Sequence, residues 1–328
     1  MKPEISVLIP AYNAEKTILA AVWSALNQDF DGFEVCVYND GSTDKTRELL
    51  DSIADARIRV IHGGKNEGIV HARNHLLQNT TTPFIAWLDA DDIMLPGRLK
   101  LQYAYFQKHP KTDILGGWAQ LRNRGDGANK SLVKAPINSD YLETALLFKN
   151  PLVNSAVMAR HFFVLENLLF DPVFEGFAED YDVFLRCRKA GKHFGMIQQP
   201  VVSYWVREAD EQSQTERIRR ADEKRAWILC RQFPFTEKDT APAIACFLRS
   251  NRPVQAEKFN MLLGWLKQVK KQLNDESVLN SVGAKAALML HFFRLYRLRF
   301  GLLPALFWLL FQNPVITATM LRNRTRFS

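Results

Sequence analysis

The sequence predicts an α/β fold with a mostly parallel sheet, flanked by helices and followed by a C-terminal helical extension. Short apolar runs alternate with helical patterns over the first hundred residues, and the pattern turns helical from about residue 212. Strands that alternate with amphipathic helices form parallel sheets through right-handed crossovers. A length of 328 residues accommodates one α/β domain of roughly two hundred residues and a smaller second domain.

The strands and helices of the first ninety residues follow from apolar periodicity and from capping residues. The predicted elements are, in order, strand 5–9, a helix from Asn13 to Gln28, strand 33–38, a helix capped by Ser42 or Thr43, strand 58–61, a helix from Gly68 to Leu77, and strand 84–88. The last strand is apolar throughout, which is typical of a strand covered on both faces. These elements predict a sheet buried between two layers of helices.

Composition and cysteine usage indicate a globular protein in a reducing compartment. Hydrophobic residues make up 47% of the chain and charged residues 24%, with no low-complexity tract or fixed repeat. The four cysteines are far apart, so neither a zinc ribbon nor a disulfide scaffold is indicated. The N-terminus begins with a strand-like run instead of a secretory signal, and the chain is expected to stay in the cytoplasm.

The excess positive charge lies in the C-terminal tail. The net charge is +8, and after Glu276 there are seven basic residues and no acidic one. These basic residues flank apolar ones, a pattern that suits an anionic membrane surface better than a nucleic acid. No nucleic-acid partner is therefore expected.

A helix near the C-terminus is expected to lie in the membrane interface. The stretch 284–299 carries a narrow polar stripe, His291, Arg294 and Arg297, on an otherwise broad apolar surface. The eleven uncharged residues 301–311 that follow are too few for a spanning helix, which needs roughly 20. Residues 284–326 are thus expected to bind the membrane surface, with packing against another part of the protein or true spanning as alternatives.

Polar clusters follow three of the predicted strands. They are Pro10-Ala-Tyr-Asn13, Asn39-Asp-Gly-Ser-Thr-Asp44 and Asp89-Ala-Asp-Asp92. In open α/β sheets, ligands bind beyond the carboxyl ends of the strands. Three polar clusters at one edge of the sheet therefore indicate a binding site.

The cluster after the fourth strand is a candidate metal site. Three carboxylates, those of Asp89, Asp91 and Asp92, repel one another unless a cation neutralises them. Carboxylate oxygens favour Mg²⁺ or Mn²⁺, and such ions commonly bridge to substrate phosphates. A helix N-cap is the alternative, although capping needs one carboxylate and leaves the others unexplained.

Two further acidic positions have both a functional and a structural interpretation. Asp40 ends the second strand, where its carboxylate can accept the N–H of a base such as uracil and where Arg73 can reach the same nucleotide. Ordinary turn chemistry is the alternative there. Glu179 and Asp180 stand at a helix start beside Phe174 and Phe177, and serve there as a general base or as a helix cap.

Several other enzyme classes are excluded by missing motifs. No G-x-G-x-x-G follows a strand, no P-loop is present, and neither the G-x-S-x-G elbow nor an H-E-x-x-H pair occurs. Dehydrogenases, P-loop nucleoside triphosphatases, serine hydrolases with a G-x-S-x-G elbow and H-E-x-x-H zinc proteases are therefore not indicated.

The motifs together resemble those of the family 2 inverting glycosyltransferases, which have the GT-A fold and use nucleotide-sugar donors. The matching segments lie between about residues 4 and 207: Val7-Leu-Ile-Pro-Ala-Tyr-Asn13, Asn39-Asp-Gly-Ser-Thr-Asp44, Asn66-Glu-Gly68 through Ala72-Arg-Asn74, Leu88-Asp-Ala-Asp-Asp92, and Glu179-Asp180. They occur in the family's order. The resemblance implies a GT-A catalytic domain over 1–210, with a nucleotide-sugar half to about 118 and an acceptor half from about 119, and a helical region over 211–328.

The resemblance also implies a role for each matched residue. Pro10, Ala11, Tyr12, Asp40 and Arg73 would hold the base, with Asn66, Gly68 and Ala90 also in the nucleotide site. Asp89 would face the ribose, and Asp91 would bind a Mn²⁺ or Mg²⁺ ion that clamps the diphosphate. Asp180 would be the base of a single displacement with inversion, and Glu179 would contact a sugar. Where the family often has a histidine this chain has Ser203-Tyr-Trp-Val-Arg207, and Arg207 is a substitute candidate for the diphosphate.

The implied activity is transfer of a sugar, with UDP as the expected nucleotide, to a glycan or lipid-linked acceptor in surface polysaccharide or lipopolysaccharide synthesis. The protein would work at the inner face of the cytoplasmic membrane, and its oligomeric state stays open. A non-catalytic nucleotide-sugar-binding or scaffold protein is one alternative. A sugar-phosphate nucleotidyltransferase is another, but Pro10-Ala-Tyr-Asn13 does not match the Gly-rich opening motif of those enzymes.

Overall fold

The computed structural model describes residues 2–123, 129–135, 139–206, 211–249, 253–300 and 305. The chain divides into two compact units. The first contains Met1–Ala135 and Leu152–Ala209, and the second contains Pro136–Pro151 and Asp210–Ser328. The short segment 136–151 thus belongs with the C-terminal helices although it lies within the N-terminal part of the sequence.

Strands and helices alternate over the first part of the chain, and helices dominate the last part. In chain order the elements are β1 (Ile5–Ala11), α1 (Ile18–Leu26), β2 (Phe33–Asn39), α2 (Thr46–Asp51), β3 (Ile58–His62), α3 (Ile69–Gln78), β4 (Phe84–Trp87), β5 (Ile93–Met94), α4 (Arg98–Lys108), β6 (Ile114–Asn123), β7 (Asn129–Val133), α5 (Ser139–Leu146), β8 (Met158–Arg160), α6 (Glu179–Lys189), β9 (Phe194–Val206), α7 (Glu211–Gln232), α8 (Ala241–Arg249), α9 (Ala256–Asp275) and α10 (Val282–Phe300). Short 3-10 helices cover Asn154–Ala156, Pro172–Phe174 and Val278–Asn280.

One mixed sheet forms the first unit. Its strand order is β3-β2-β1-β4-β8-β6-β9-β5, with β7 paired to β6. The strands β3, β2, β1 and β4 are parallel, so Ile5 lies between Phe33 and Phe84 in register. Beyond β4 the sheet gains antiparallel pairs through β8, and β9 runs parallel to β6. The parallel half of the sheet therefore directs the ends of β1, β2 and β4 to one edge.

The core of this unit follows from the apolar runs of the sequence. Every residue of β1 and of β4 is buried, as expected for strands covered on both faces. The helix α1 buries Ile18, Ala21, Val22 and Ala25, the spacing that places side chains on one helical face. Burial of such side chains contributes roughly 1.5–3 kcal/mol for each large aliphatic residue. This apolar packing holds the strand ends that carry the polar clusters.

Two predicted helix starts are wrong because the polar side chains are used elsewhere, and the helix-cap alternative for Asp92 is not met. The helix α1 begins at Ile18, and Asn13 instead bonds the loop after β2. The helix α2 begins at Thr46, where Asp44 Oδ1 accepts the Thr46 N–H at 3.0 Å. Asp92 caps no helix, because it precedes the two-residue strand β5 and α4 begins only at Arg98.

The second unit consists of helices, and α10 packs inside it. His291 and Arg294 are 4% and 6% exposed, and the His291 ring lies 4.3 Å from the Phe148 ring, centroid to centroid. The buried Arg294 side chain therefore does not face lipid headgroups, as a helix lying in the membrane interface would require of its arginines. No helix in the described part of the chain combines the length and apolarity needed to cross a membrane. The stretches 301–304 and 306–326 lie outside the described residues.

Candidate functional site

The loop after β1 is bonded to the loop after β2. The Asn13 N–H donates to Ser42 Oγ at 2.9 Å, and the Thr43 N–H donates to Asn13 Oδ1 at 2.9 Å. Asn13 has a φ of 46°, in the left-handed region that Asn tolerates better than most residues. The Glu15 N–H donates to Asp44 Oδ2 at 3.1 Å. Two of the three polar clusters therefore meet at one sheet edge, as the sequence predicts.

A cavity of about 490 Å³ opens at this edge. Its walls include Pro10 and Tyr12 from the loop after β1, Asp89, Ala90 and Asp91 after β4, and Arg73 from α3. This volume lies within the range of roughly 300–1,000 Å³ that small-molecule sites occupy. Ala11, which ends β1, is buried directly before this wall. Asp44 of the second cluster lines the cavity as well, so the cavity joins all three polar clusters with Arg73.

Asp40 is buried below the start of α3. Its carboxylate accepts the Gly68 N–H at 2.8 Å and the Glu67 N–H at 3.1 Å. The residue is 2% exposed and is not among those that line the cavity. Asn66 and Gly68 form the turn before α3 and do not line it either. Asp40 therefore stabilises the backbone of this turn, and its contact with a base stays a prediction.

The acidic loop after β4 is a tight turn with one buried carboxylate. The Asp89 N–H donates to Ser155 Oγ, and the Asp92 N–H donates to the Asp89 carbonyl, both at 3.0 Å. Asp92 is 1% exposed. Burial, followed by the negative charge of Asp89 and Asp91, raises the pKa of Asp92 to about 8. At neutral pH the Asp92 carboxyl group is therefore largely protonated, although it lies in the same loop as Asp89 and Asp91.

Arg98 supports this loop from below. Its guanidinium is fully buried and donates to the carbonyl oxygens of Ser155 at 2.5 Å and of Trp87 and Val157 at 3.1 Å. Burial lowers the pKa of Arg98 to about 9, although the nearby Asp92 opposes this change. Arg98 thus ties the end of β4, just before the acidic loop, to the neighbouring segment at Ser155 and Val157.

Arg73 connects the acidic loop to α6. Its guanidinium donates to Asp89 Oδ1 at 3.1 Å and to Glu179 Oε1 at 2.8 Å. The residue is 4% exposed, and its guanidinium carbon lies 5.4 Å from the Phe170 ring centroid. Burial alone would lower the pKa of Arg73, but the carboxylates raise it above its ordinary value. One buried cation therefore bridges carboxylates that are 90 positions apart in the sequence.

Asp180 lies in the first turn of α6, beside this bridge. Its Oδ1 accepts the Tyr181 N–H at 2.7 Å. Burial and the neighbouring Glu179 raise its pKa to about 7, while Arg73 acts in the opposite direction. A pKa near neutrality suits a general base. The helix-cap alternative is met only in part, because Asp180 bonds the first turn whereas Glu179 binds Arg73.

Tyr204 on β9 is a residue that the sequence did not single out. Burial and the charges of four carboxylates raise its pKa to about 12; these belong to Asp92, Asp89, Asp91 and Asp180. The Tyr204 phenol is thus influenced both by the acidic loop after β4 and by Asp180 at the start of α6. This agrees with the bridge that Arg73 forms between these two segments. The only signal in the sequence is that Tyr204 lies in the stretch where the family often has a histidine. Arg207, the residue singled out in that stretch, lies outside the described residues.

Asn74 and Glu175 also gain roles that sequence patterns did not assign. The Asn74 side chain exchanges two hydrogen bonds with the backbone of Phe170, at 2.9 and 2.8 Å. Glu175 accepts the Ile69 N–H at 2.6 Å and the Val70 N–H at 3.1 Å. Both contacts join α3 to the segment before α6. They span about a hundred positions, so spacing in the sequence gives no sign of them.

The carboxylates of the acidic loop after β4 could hold a divalent cation only together with a bound ligand that supplies phosphate oxygens. In the described part of the chain, no group of three or more His, Cys, Asp or Glu side chains is arranged to hold a metal ion by itself. Mg²⁺ is commonly held by one or two carboxylates together with substrate phosphates. Asp89 and Asp91 both line the cavity, and their carboxylates can share an ion with a bound phosphate group. The site therefore has the ligand chemistry for such a shared ion.

Comparison with known proteins identifies the family. The family model described as "Glycosyl transferase family 2" matches residues 6–169. An uncharacterized glycosyltransferase of Haemophilus influenzae is 29% identical over 198 residues, covering 58% of this chain and 61% of that protein. The Escherichia coli protein named UDP-Glc:alpha-D-GlcNAc-diphosphoundecaprenol beta-1,3-glucosyltransferase WfgD is 34% identical over 119 residues, covering 36% of this chain and 47% of that protein. The chain thus spans about half to three fifths of the length of these two relatives.

Solved structures show the same fold. TarS of S. aureus, residues 1–349 in complex with UDP, superposes with a TM-score of 0.56 at 19% identity, covering 100% of this chain and 90% of that chain. The UDP-GlcNAc complex of the same protein gives a TM-score of 0.53. The predicted α/β class with C-terminal helices is confirmed by this likeness. With half of its length matched by the family model, the chain belongs to glycosyltransferase family 2.

Proposed function

We propose that this protein is an inverting glycosyltransferase that moves a sugar from a UDP-sugar to a hydroxyl group of a glycan or lipid-linked saccharide in bacterial polysaccharide synthesis. The observation that carries the proposal is the bridge by Arg73 between Asp89, at the cavity, and Glu179, next to Asp180. This bridge brings a candidate diphosphate site and a candidate base together. Sugar transfer requires that the diphosphate site and the base act on the same sugar.

The donor proposal rests on the cavity and on the relatives. TarS has been solved with UDP and with UDP-GlcNAc, and WfgD is named for UDP-Glc. In this chain, Pro10 and Tyr12 line the cavity and supply an apolar and an aromatic surface for the base. We assign the ribose to Asp89, and Ala90 to the wall beside it. Arg73 would hold Asp89 in place, a role that its two ion pairs support better than direct contact with the base.

Asp91 is the proposed ligand of a Mn²⁺ or Mg²⁺ ion. Such an ion, when bound, would stabilise the negative charge that develops on the departing diphosphate. Asp91 lines the cavity beside Asp89, and Asp92 lies buried in the same loop. The nearby Tyr204 hydroxyl, which is protonated at neutral pH, would donate a hydrogen bond in the same region. Arg207 stays a candidate for the diphosphate.

Asp180 is the proposed base. An ordinary Asp has a pKa of about 3.9, whereas burial beside Glu179 raises that of Asp180 to about 7. The higher pKa makes Asp180 a better proton acceptor while it stays largely ionised above neutral pH. It would take the acceptor's hydroxyl proton as the new bond forms to C1 of the sugar and the bond from C1 to the diphosphate breaks. Glu179 would hold Arg73 and set the charge around Asp180.

A glycan or lipid-linked saccharide is the proposed acceptor class. WfgD is named for an acceptor joined to diphosphoundecaprenol, and chondroitin synthase of Escherichia coli is 31% identical over 205 residues, covering 28% of that protein.

Attachment to the inner face of the cytoplasmic membrane stays a prediction that depends on the tail beyond α10. Replacing Arg322, Arg324 and Arg326 by Gln should reduce flotation with anionic liposomes. Equal flotation of this variant and the unaltered protein would contradict the membrane prediction.

The experiment compares two substitutions in binding and in turnover. UDP-glucose and UDP-GlcNAc are screened for release of UDP with Mn²⁺ and with Mg²⁺, and UDP binding is measured by calorimetry. Asp180→Asn should bind UDP within about twofold of the unaltered protein and lose at least about a hundredfold in turnover. Asp91→Ala should lose the metal-dependent part of UDP binding.

Each rival function gives a different result. A non-catalytic binding protein would bind UDP but release none from any donor. A nucleotidyltransferase would form pyrophosphate from a sugar phosphate and UTP. Undiminished turnover in Asp180→Asn would remove the base assignment.

A further inference from the structure

The segment before α6 contacts the start of α3 through one carboxylate. Glu175 Oε1 accepts the Ile69 N–H at 2.6 Å, and Glu175 Oε2 accepts the Val70 N–H at 3.1 Å. The first N–H groups of a helix have no partner within the helix and carry partial positive charge. The two oxygens of one carboxylate therefore satisfy two such groups at once, and the charged acceptor strengthens both bonds.

Asp40 and Glu175 share the start of α3 between them. Asp40 binds the N–H groups of Glu67 and Gly68, and Glu175 binds the next two along the chain. Gly68 has a φ of 97°, and a Cβ atom at Gly68 would lie 2.5 Å from Glu175 Oε1. A glycine at this position is therefore needed for the carboxylate to approach as closely as it does.

The chain between Glu175 and Asp180 is short and closely bent. It contains Gly176 and Ala178, whose φ values are 69° and 64°, and α6 begins directly afterwards at Glu179. The left-handed conformation is unfavourable for Ala, so the contacts on either side must maintain it. On one side, Phe174 is fully buried and Glu175 binds α3. On the other side, Glu179 binds Arg73.

We propose that Glu175 is a positioning residue, whose carboxylate fastens the segment leading to Asp180 onto the start of α3 and so places the base against the donor cavity. The inference deepens the proposed function and rests on it. Ile69 and Arg73 of α3 both line the cavity. The helix that borders the donor therefore also sets the location of the base, which follows Glu175 closely in the chain.

The test separates positioning from stability by comparing Glu175→Gln with a matched control. Glu48→Gln removes an exposed carboxylate from the first turn of α2, which lies outside the proposed site. For Glu175→Gln, turnover of the active UDP-sugar should decrease at least about tenfold, because small displacements of reacting groups are costly. Calorimetric UDP binding should stay within about twofold. Glu175→Ala should lose more turnover than Glu175→Gln, which keeps one oxygen acceptor.

Hydrogen exchange gives a second readout that needs no donor. Hydrogen exchange should be faster in Glu175→Gln at the amides of Ile69 and Val70 and in the first turn of α6. In Glu48→Gln the exchange rates of these amides should be unchanged. Unchanged exchange in Glu175→Gln would overturn the inference whatever the activity. Faster exchange with undiminished turnover would also overturn it, because the contact would then be structural only. If the unaltered protein neither binds UDP nor releases it from a donor, the proposed function fails, and the exchange result still decides whether Glu175 fastens the segment.

Discussion

At the scale of single residues, the protonation of Asp180 depends on its neighbours. Burial and Glu179 raise its pKa to about 7, and Arg73 opposes them. A base must be ionised to accept a proton, so the rate of donor turnover should decrease about tenfold for each pH unit below this value. Glu179→Gln should move that midpoint to lower pH, since it removes a negative charge and leaves Arg73 facing Asp180 with less compensation.

The pH dependence of turnover checks this prediction. The profile of kcat is measured from pH 5 to 9 for the unaltered protein, for Glu179→Gln and for Glu48→Gln. The control should keep the midpoint of the unaltered protein, even if Glu179→Gln is much slower. A midpoint that stays near 7 in Glu179→Gln would show that this pair does not set the pKa of the base.

Gly68 offers a residue-scale prediction about stability. Gly68→Ala should cost more than the roughly 1–2 kcal/mol of a left-handed alanine, because the Gly68 backbone (φ 97°, ψ 168°) lies in a region restricted to glycine and the new Cβ would also meet Glu175. Gly97→Ala measures the cost of backbone strain alone, since φ is 76° and no atom lies within 4 Å of its Cβ position. Gly64→Ala, with open space and no positive φ, should change unfolding by less than about 0.5 kcal/mol.

Chemical denaturation of the three glycine variants checks this order. The free energy of unfolding should decrease most for Gly68→Ala, less for Gly97→Ala, and least for Gly64→Ala. Equal losses at Gly68 and Gly97 would mean that neither the Gly68 backbone conformation nor the contact with Glu175 adds to the cost.

The sequence predicted which polar residues lie at the candidate site better than it predicted which atoms each of them contacts. Asp89, Asp91 and Arg73 line one cavity, in agreement with the prediction that polar clusters meet at the sheet edge. Asp40 was expected at the nucleotide, whereas its carboxylate binds backbone N–H groups at the start of α3. Neither Glu175 nor Tyr204 follows a recognisable spacing. Their importance depends on chain segments that meet only in the folded protein.

At the scale of elements, helix α3 connects the donor side to the base side. Its start binds Asp40 and Glu175, its middle contributes Arg73, and Asn74 bonds Phe170. The apolar period predicted this helix within one residue at each end. The starts of α1 and α2 were placed wrongly, because polar side chains after β1 and β2 bond one another instead of capping the next helix.

Helix α10 gives a prediction at the same scale. Burial lowers the pKa of His291 to about 3, and the nearby Arg294 and Lys149 act in the same direction. The unfolded state therefore binds a proton at higher pH than the folded state does, and stability decreases as pH falls below about 6.5. From pH 6.5 to 5 the loss from this group is about 2 kcal/mol.

Thermal unfolding of the full chain at several pH values measures this effect. His291→Phe, which preserves a ring against Phe148, should reduce the loss of Tm on acidification. His109→Phe is the matched control, since His109 also stacks on a ring, that of Tyr105, but is exposed. If His291→Phe and His109→Phe give the same pH dependence of Tm, the burial of His291 does not control acid stability.

At the scale of the whole molecule, the α/β class was predictable and the later sheet was not. Strands β1 to β4 are short apolar runs joined by helices, a pattern that predicts parallel pairing. Strands β5 and β8 have two and three residues, too short for any periodicity to register. Segment 136–151 belongs to the same unit as the C-terminal helices through contacts between residues that are distant in the sequence, and no local pattern indicates this. The predicted domain boundary near residue 210 stays a prediction.

The proposed function requires that one sugar lies between a donor cavity containing Asp91 and the base Asp180, so that transfer proceeds by a single displacement. The most direct measurement is the anomeric configuration of the product made from an α-linked UDP-sugar, read by proton NMR from the coupling at C1 of the transferred sugar. We expect a β-linked product. An α-linked product would contradict the proposed function, because retention requires the acceptor to attack from the face that the diphosphate leaves.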